Sequence, residues 1–225
     1  NVKQFINMSP NRIVLEQSYR LPKKVFDLAQ RVVRRIKDRV PKTYHPTDRE
    51  GSVTWHYDLS SLPLQTGSWT LMCRINSYVT SMAKEIEEMG YYYSLKGSAP
   101  ITREQAETIN TWRELAAGKA VDLSRIYTMY EAVPKQGDKA VVKRGAKKLL
   151  EAADPEARLT MRELADEFGL LEQPNLLGEY RDVFDVLGFG QSRQAYLRHV
   201  EKSGEDLSKP PRIKLSTFHA MKGGE

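Results

Sequence analysis

The sequence has little cysteine and no metal-binding pattern. Its one cysteine, Cys73, cannot form an internal disulfide bond, and its apolar neighbours predict a packed thiol in a reducing compartment. The four histidines have no partner cysteine and no HExxH spacing, which excludes the common zinc motifs. We therefore expect no metal site built by this chain alone.

Long apolar runs and phosphate-binding loops are also missing. No segment approaches the roughly eighteen apolar residues of a membrane-spanning helix. The opening residues NVKQFINMSP do not have the basic and apolar segments of a secretion signal. No GxxxxGK[ST] loop occurs, so the chain lacks the usual cradle for nucleotide phosphates.

What is present is the composition of a globular protein with excess positive charge. Hydrophobic residues make up 40% of the chain and charged residues 28%, which is ordinary for a folded domain. The net charge is +6 and the pI is about 9.3. This balance favours a polyanionic partner such as nucleic acid.

Segments with strand and helix periodicity alternate over residues 1–98, which predicts a parallel α/β sheet. The segment 69–76 is apolar enough to predict a central strand. The other predicted strands are 12–20, 53–59 and 91–95. One helix is predicted over residues 22–40, with Pro22 in its first turn and Pro41 after its end. A second helix is predicted to end at Met89, before Gly90, with Asn76 or Ser77 as its N-cap.

Residues 99–205 instead show helical periodicity almost throughout. Two capping boxes, Thr102 with Gln105 and Thr160 with Glu163, predict helix starts. Residues 212–219 alternate again, which predicts a returning strand. Further helices are predicted over 122–131, 139–152, 178–187 and 192–201. The sequence thus predicts a helical subdomain, 99–205, inserted between the two parts of one α/β domain, 1–98 and 206–225.

Polar side chains follow the first and last predicted strands, where ligands bind in open parallel sheets. QSYR follows the first strand: Tyr19 offers a face for a planar base, and Arg20 a fork of donors for a phosphate. TFHAMKGGE follows the last strand: its glycines allow close backbone approach, and Glu225 accepts hydrogen bonds from ribose. Residue chemistry alone therefore predicts nucleotide or phosphate contacts at these strand ends.

Three stretches together resemble the C-terminal half of a superfamily 1 DNA helicase of the UvrD/Rep/PcrA type. LEQSYRLP resembles motif IV, commonly L-x-x-N-Y-R, and WTLMCRINSYV resembles a segment that reads lvRtN in the family. RIKLSTFHAMKGGE resembles motif V, T-x-H-x-x-K-G-x-E, the most specific of the three. The resemblance covers about 95 residues at the front of the chain and 15 at its end.

This resemblance implies a second RecA-like (P-loop NTPase-type) motor domain with an inserted helical subdomain. It implies that Tyr19 stacks on adenine, that Arg20 is the catalytic arginine finger, and that Glu225 binds ribose. Gln17, Lys222 and Gly223 belong to the same nucleotide-binding loops. DNA contacts are implied for Thr217, His219, Arg74 and Asn76. ATP with Mg²⁺, the ion being held by the first RecA-like domain, and single-stranded and duplex DNA are the implied ligands.

The resemblance also has departures. Ser18 stands where Asn is common, and Gly224 where Leu is common, the latter as in a phage-like branch. The Walker motifs and motif VI are missing, so we expect a fragment that does not hydrolyse ATP alone. We expect 3′ to 5′ translocation and a location in the bacterial cytoplasm, or the host cytoplasm if the protein is phage-encoded.

Two other functions remain open from the sequence. LTMRELADEFGLL (159–171) resembles the start of a helix-turn-helix, which predicts a DNA-binding regulator. The basic stretch VVKRGAKK (141–148) predicts a duplex contact or a solvated helix face, and the helical block as a whole suits a non-catalytic interaction module.

Overall fold

The computed structural model describes residues 8, 13, 15–37, 39 and 42–222. The chain forms two compact units, residues 1–61 and 62–225. The boundary between them, at 61/62, is not one that the sequence patterns predict. Each unit is described by itself.

The first unit is built around helix α1, Lys23–Val33, with Pro22 at its N-cap. The backbone amides of Lys23 and Lys24 donate to the carbonyls of Arg49 and Glu50, at 2.9 and 3.1 Å. These bonds satisfy two of the donors that a helix start leaves free, and they hold the following segment against the helix.

The strands predicted in this unit do not form among the described residues. Ile13 and Leu15 are 92% and 81% exposed, and the only pairing near them is an isolated parallel bridge between Gln17 and His45. Residues 53–59 have no ladder partner, and residues 57–59 form a bend. Alternating apolar residues predicted these strands, but a strand is stabilised only by hydrogen bonds to a neighbouring strand. Among the described residues of this unit, only Gln17 and its flanking residues form such bonds, with His45.

Helix α1 is also shorter than predicted. It ends at Val33, with Arg34 as C-cap, whereas the apolar periodicity continued to Val40. Val32, Val33 and Ile36 are exposed, so no tertiary packing stabilises further turns. Val14, Val40 and Pro41 lie outside the described residues.

The second unit contains a three-stranded parallel sheet, and the chain is α/β. The strands are β1, Trp69–Cys73; β2, Tyr93–Leu95; and β5, Ile213–Thr217, in the order β1-β5-β2. The strand at 69–73 was predicted to be central, but it lies at an edge of the described sheet. The returning strand β5 takes the centre, because it pairs with β1 on one side and with β2 on the other.

Helix α2, Asn76–Glu88, connects β1 to β2 and packs on the sheet. Its buried residues Val79, Ala83 and Ile86 recur at helical spacing, as the sequence predicted. Gly90, at φ +75°, ends the helix in the left-handed conformation that glycine adopts without strain. An added Cβ there would lie 2.7 Å from the ring of His199, so the glycine also permits close packing.

Between β2 and β5 the chain forms a block of helices with its own core. Trp112, Tyr130, Phe184 and Leu197 are its large buried side chains, and the indole of Trp112 donates to the carbonyl of Arg181 at 3.0 Å. The elements are α3, Arg103–Ala116; β3, Val121–Asp122; α4, Leu123–Ala132; α5, Ala146–Glu151; β4, Arg158–Leu159; α6, Met161–Asp166; α7, Val183–Val186; and α8, Gln191–Lys202.

Both predicted capping boxes form, at the starts of α3 and α6. Two predicted helices are mostly wrong, since only Ala146–Glu151 of 139–152 and Val183–Val186 of 178–187 are helical. Residues 141 and 142 are not helical, and Val142 forms an isolated antiparallel bridge with Leu170. The short antiparallel pair β3 and β4 was not predicted at all.

The helix-turn-helix interpretation of 159–171 fails at its second helix. Helix α6 is followed by Gly169 at φ +72°, but residues 170–182 then contain no helix. Leu170 is held in the bridge to Val142, and the amide of Leu171 donates to the carbonyl of Val141 at 2.8 Å. No recognition helix therefore follows the turn.

Helix α8 fastens the helical block to the sheet. The hydroxyl of Tyr196 donates to the carbonyl of Tyr91, just before β2, at 2.9 Å. The guanidinium of Arg193 donates to the carbonyl of Pro100 in the connection that leads from β2 to α3.

Among the described residues, no helix is both long and apolar enough to cross a membrane.

Two leucines provide a matched test of this core. Leu115 in α3 is fully buried, whereas Leu176 is fully exposed. Leu115→Ala is expected to lower the free energy of unfolding by about 2–5 kcal/mol, because it leaves a cavity. Leu176→Ala is expected to change it by less than about 0.5 kcal/mol. Urea unfolding measures both, and equal losses would contradict the described core.

Candidate functional site

The carboxyl ends of β1 and β5 lie side by side and form one edge of the sheet. Cys73, the last residue of β1, is the register partner of Thr217, the last residue of β5. The amide of Phe218 donates to the carbonyl of Cys73 at 3.1 Å, which continues the pairing one step further. Residues that follow either strand therefore emerge at the same edge, which we call the strand-end edge.

Four residues predicted to contact DNA belong to this edge. Arg74 follows β1 directly and Asn76 is the first residue of α2, while Thr217 ends β5 and His219 lies two residues beyond. Arg74, Asn76 and His219 are exposed and Thr217 is half-buried. The parallel pairing thus brings together side chains that are more than 140 positions apart in the sequence.

The prediction that Asn76 or Ser77 caps α2 is wrong. Ile75 occupies the N-cap position, and no side chain there accepts a hydrogen bond from the helix. The helix starts so soon after β1 that only Arg74 and Ile75 separate them. The side-chain amide of Asn76 is consequently not used as a helix cap.

A tight turn follows β5 and orders the residues after it. The hydroxyl oxygen of Thr217 accepts from the amide of Ala220 at 3.3 Å, and its carbonyl accepts from the amide of Met221 at 3.2 Å. The amide of Lys222 donates to the carbonyl of His219 at 3.3 Å. Among the described residues, none accepts a hydrogen bond from the hydroxyl of Thr217. Gly223, Gly224 and Glu225 lie outside the described residues.

Two aromatic residues at this edge were not singled out from the sequence. Phe218 is 54% exposed and Tyr78, in the first turn of α2, is 63% exposed. Aromatic faces beside cationic side chains are typical of single-strand binding, where bases stack on them. In the sequence, Phe218 could have been identified by its position between Thr217 and His219. Its exposure could not, because exposure depends on tertiary packing.

A cavity of about 460 Å³ opens beside β5, toward β2. Lys96, Lys214, Ala220 and Met221 are among its lining residues, so it adjoins the turn after β5. The amide of Lys96 donates to the carbonyl of Leu215 at 2.9 Å, although its φ is +51°. Such a left-handed backbone is strained for a residue other than glycine, and here the pairing with β5 holds it in place.

The nucleotide-binding residues predicted after the first strand lie in the other unit. The hydroxyl of Ser18 accepts from the amide of Leu21 at 3.0 Å, so serine closes the turn where the family commonly has asparagine. The side-chain amide of Gln17 donates to the carbonyls of Ser18 and Pro46, at 2.9 and 3.0 Å. Tyr19 is exposed, and the carbonyl of Arg20 accepts from the guanidinium of Arg49 at 3.0 Å.

The predicted nucleotide site is thus divided between the units. Gln17, Tyr19 and Arg20 lie in residues 1–61, and Lys222 in 62–225. The predicted meeting of Arg20 with Glu225 stays a prediction, since Glu225 is outside the described residues. In the described part of the chain, no cluster of His, Cys, Asp and Glu forms a metal site.

The basic stretch 141–148 is exposed only in part. Val141 and Val142 are buried, whereas Lys143, Arg144 and Lys148 are exposed. Lys147 forms an ion pair with Glu131. Its role as a duplex contact stays a prediction.

The sequence matches no family model, and neither a curated protein nor a solved structure matches it.

The thiol at the strand-end edge gives a test of its surroundings. Burial raises the pKa of the Cys73 thiol above its ordinary value, which lowers the fraction of reactive thiolate. We expect iodoacetamide to modify native Cys73 more slowly at pH 8 than the same cysteine in urea-unfolded chain. Mass spectrometry measures both rates, and equal rates would contradict the packing at the end of β1.

Proposed function

We propose that this chain is the second motor domain of an ATP-dependent DNA helicase, with a RecA-like sheet and an inserted helical subdomain. The observation that carries the proposal is the pairing of β5 between β1 and β2. It supports a common edge for Arg74, Asn76, Thr217 and His219, the residues whose motifs resemble the helicase family.

The chemistry of the strand-end edge suits a single strand of DNA. Arg74 and His219 offer donors to phosphate oxygens, and Thr217 and Asn76 offer neutral hydrogen bonds. No ion pair between described residues involves Arg74, so its charge is available. Phe218 and Tyr78 add exposed rings on which unpaired bases stack.

The nucleotide half of the proposal rests on Tyr19 and Arg20. An exposed tyrosine suits adenine, and a rigid guanidinium suits the charge that develops on the transferred phosphoryl group. In this proposal the partner domain supplies the Walker motifs and Mg²⁺, and this chain supplies the arginine finger. Motif V, with Thr217 and His219 at one end and Glu225 at the other, couples DNA binding to ATP binding.

The motor acts in the cytoplasm of a bacterium, or of the host if the protein is phage-encoded.

An interaction module is the second candidate. Lys143, Arg144 and Lys148 are exposed on the helical block and form no ion pair with any described residue, which supports contact with a polyanion. This candidate requires no ATP, so the two functions separate on whether nucleotide alters DNA binding once the partner domain is present.

The DNA contacts are tested by the salt dependence of binding. Arg74→Gln is expected to weaken binding of a single-stranded dT oligonucleotide. It should also reduce the slope of log affinity against log salt by about 0.7, since one phosphate contact is lost. Fluorescence anisotropy at several salt concentrations measures both quantities.

Arg162→Gln is the matched control, because it removes the same charge from an exposed position on α6. It should leave the slope unchanged. Equal effects of the two substitutions would mean that net charge, not the strand-end edge, governs binding.

The arginine-finger role is tested in a polypeptide that joins this chain to the Walker-motif domain of the same motor. Arg20→Ala should leave ATP affinity nearly unchanged and slow hydrolysis by about a thousandfold, because transition-state charge loses its cation. Arg34→Ala, an exposed arginine just after α1, is the control. Unaltered hydrolysis by Arg20→Ala would discard the assignment, as would ATP hydrolysis by the present chain alone.

A further inference from the structure

The excess positive charge of this protein is confined to its first unit. Residues 1–61 contain 12 Lys and Arg and 6 Asp and Glu, whereas residues 62–225 contain 23 of each. The whole net charge of +6 therefore belongs to a unit with about a quarter of the chain. A field this concentrated attracts polyanions far more than an even distribution would.

Ion pairs between described residues are also distributed unevenly between the two units. Nine ion pairs join described residues, and all nine lie within residues 62–225. Lys24 and Arg31, both exposed on α1, are in none of them. Neither cation forms an ion pair with a described acid, although the carboxylate of Asp27 lines the same groove.

Lys24 and Arg31 face a common groove on one side of α1. They are seven positions apart, two helical turns, and Leu28 lies between them on the same face. The groove has a volume of about 240 Å³. Its lining residues are Lys24, Asp27, Leu28, Arg31, Val53 and Trp55.

The opposite wall of the groove is the segment after Gly51. The bonds from the Lys23 and Lys24 amides to Arg49 and Glu50 fix where this segment begins, at the start of the helix. Residues 51–56 form no helix or strand, and Val53 and Trp55 from this segment line the groove. The arrangement is thus set by backbone hydrogen bonds within the unit.

Trp55 lines the groove and is nevertheless 80% exposed. An indole in the open leaves a large apolar surface in water, a costly arrangement unless a ligand covers it. Base–aromatic stacking is tolerant of sequence, because every base has a π face. An exposed ring and two cations that line one groove match the bases and phosphates of a single strand.

We propose that this groove is a single-stranded nucleic-acid site, in which Trp55 stacks on an unpaired base while Lys24 and Arg31 bind backbone phosphates. The site is separate from the strand-end edge and requires no nucleotide, so it stands without the proposed motor function. A duplex fits poorly, because its bases are already stacked and paired. An acidic peptide satisfies the cations but has no base to cover the ring.

The base requirement is tested with two ligands of equal charge: a dT oligonucleotide and an abasic strand of the same length. In the full chain, Trp55→Ala should weaken binding of the dT strand by roughly 5- to 100-fold, the range for loss of one stacked base. It should change binding of the abasic strand by less than about twofold, and Trp55→Phe should keep most of the dT affinity. An equal loss on both strands, or none on dT, overturns the proposal.

Fluorescence gives a second measurement that does not require Trp55→Ala to fold. The dT strand should quench the emission of the wild-type chain, the abasic strand should not, and Trp55→Phe should abolish the effect. The chain has two other tryptophans, Trp112, which is buried, and Trp69, which is half-buried in β1, and both are retained in Trp55→Phe, so this variant assigns the response to Trp55. Quenching that persists in Trp55→Phe overturns the assignment of the ring.

The cations are tested by the salt slope for the dT strand. Lys24→Gln and Arg31→Gln should each reduce its magnitude by about 0.7, whereas Asp27→Asn should tighten binding by removing the one carboxylate in the groove. Lys202→Gln, an exposed lysine on α8, removes equal charge and should have no such effect. The salt slopes of Lys24→Gln and Arg31→Gln are also measured in a chain that carries Arg74→Gln. That chain has lost a cation of the strand-end edge, so a further reduction of the slope belongs to the groove. Tighter binding of a duplex of that length, or equal effects of Lys24→Gln and Lys202→Gln, overturns the proposal.

Discussion

Two backbone ladders, from β5 to β1 and from β5 to β2, are the constraint on which the described second unit depends. They bury Ile213 and Leu215 at the centre of the sheet and set the ends of β1 and β5 at one level. Because Cys73 and Thr217 are register partners, the residues after them have to emerge together. The helical block has to return its chain to this position, and α8 holds it there through Tyr196 and Tyr91. The strand-end edge is therefore a product of topology, not of local sequence.

The two units use charge in different ways. In residues 62–225 acids and bases are equal in number and some of them pair, as in the bidentate contact of Arg113 with Glu201, which joins α3 to α8. In residues 1–61 the cations outnumber the acids two to one and stand beside exposed rings such as Trp55. Exposed pairs contribute little to stability, whereas unpaired cations create a field that reaches a Debye length into solvent. The excess positive charge of the first unit is thus suited to attracting anions, whereas ion pairs in the second unit hold its helices in place.

Features with a short-range cause were predictable from the sequence. The capping boxes at Thr102 and Thr160 formed because each needs only four consecutive residues, and α2 stopped just before Gly90 because that glycine adopts the left-handed conformation. Strands 12–20 and 53–59 were wrong because a strand is stabilised by a partner that periodicity does not identify. Val141 and Val142 had helical spacing but pair with 170–171, a partner equally invisible in sequence. At the site, the strand-end rule selected the segment that begins at Thr217, and the resemblance to helicase motifs added Arg74. The exposure of Phe218 and Tyr78, like the groove beside Trp55, depends on which surfaces stay uncovered.

The insertion of the helical block between two adjacent strands has a consequence for biosynthesis. β1 and β2 leave the ribosome in succession, but the strand that separates them follows only after residues 96–212 have been made. At about 5–20 residues per second that interval lasts roughly 6–23 seconds, far longer than helix formation or local collapse. During that interval α2 can pack only on β1 and β2, because β5 has not yet been made. The strand edges with which β5 will pair remain open to other chains. The order of the strands therefore gives the nascent protein an aggregation-sensitive stage that ends only when β5 pairs with β1 and β2.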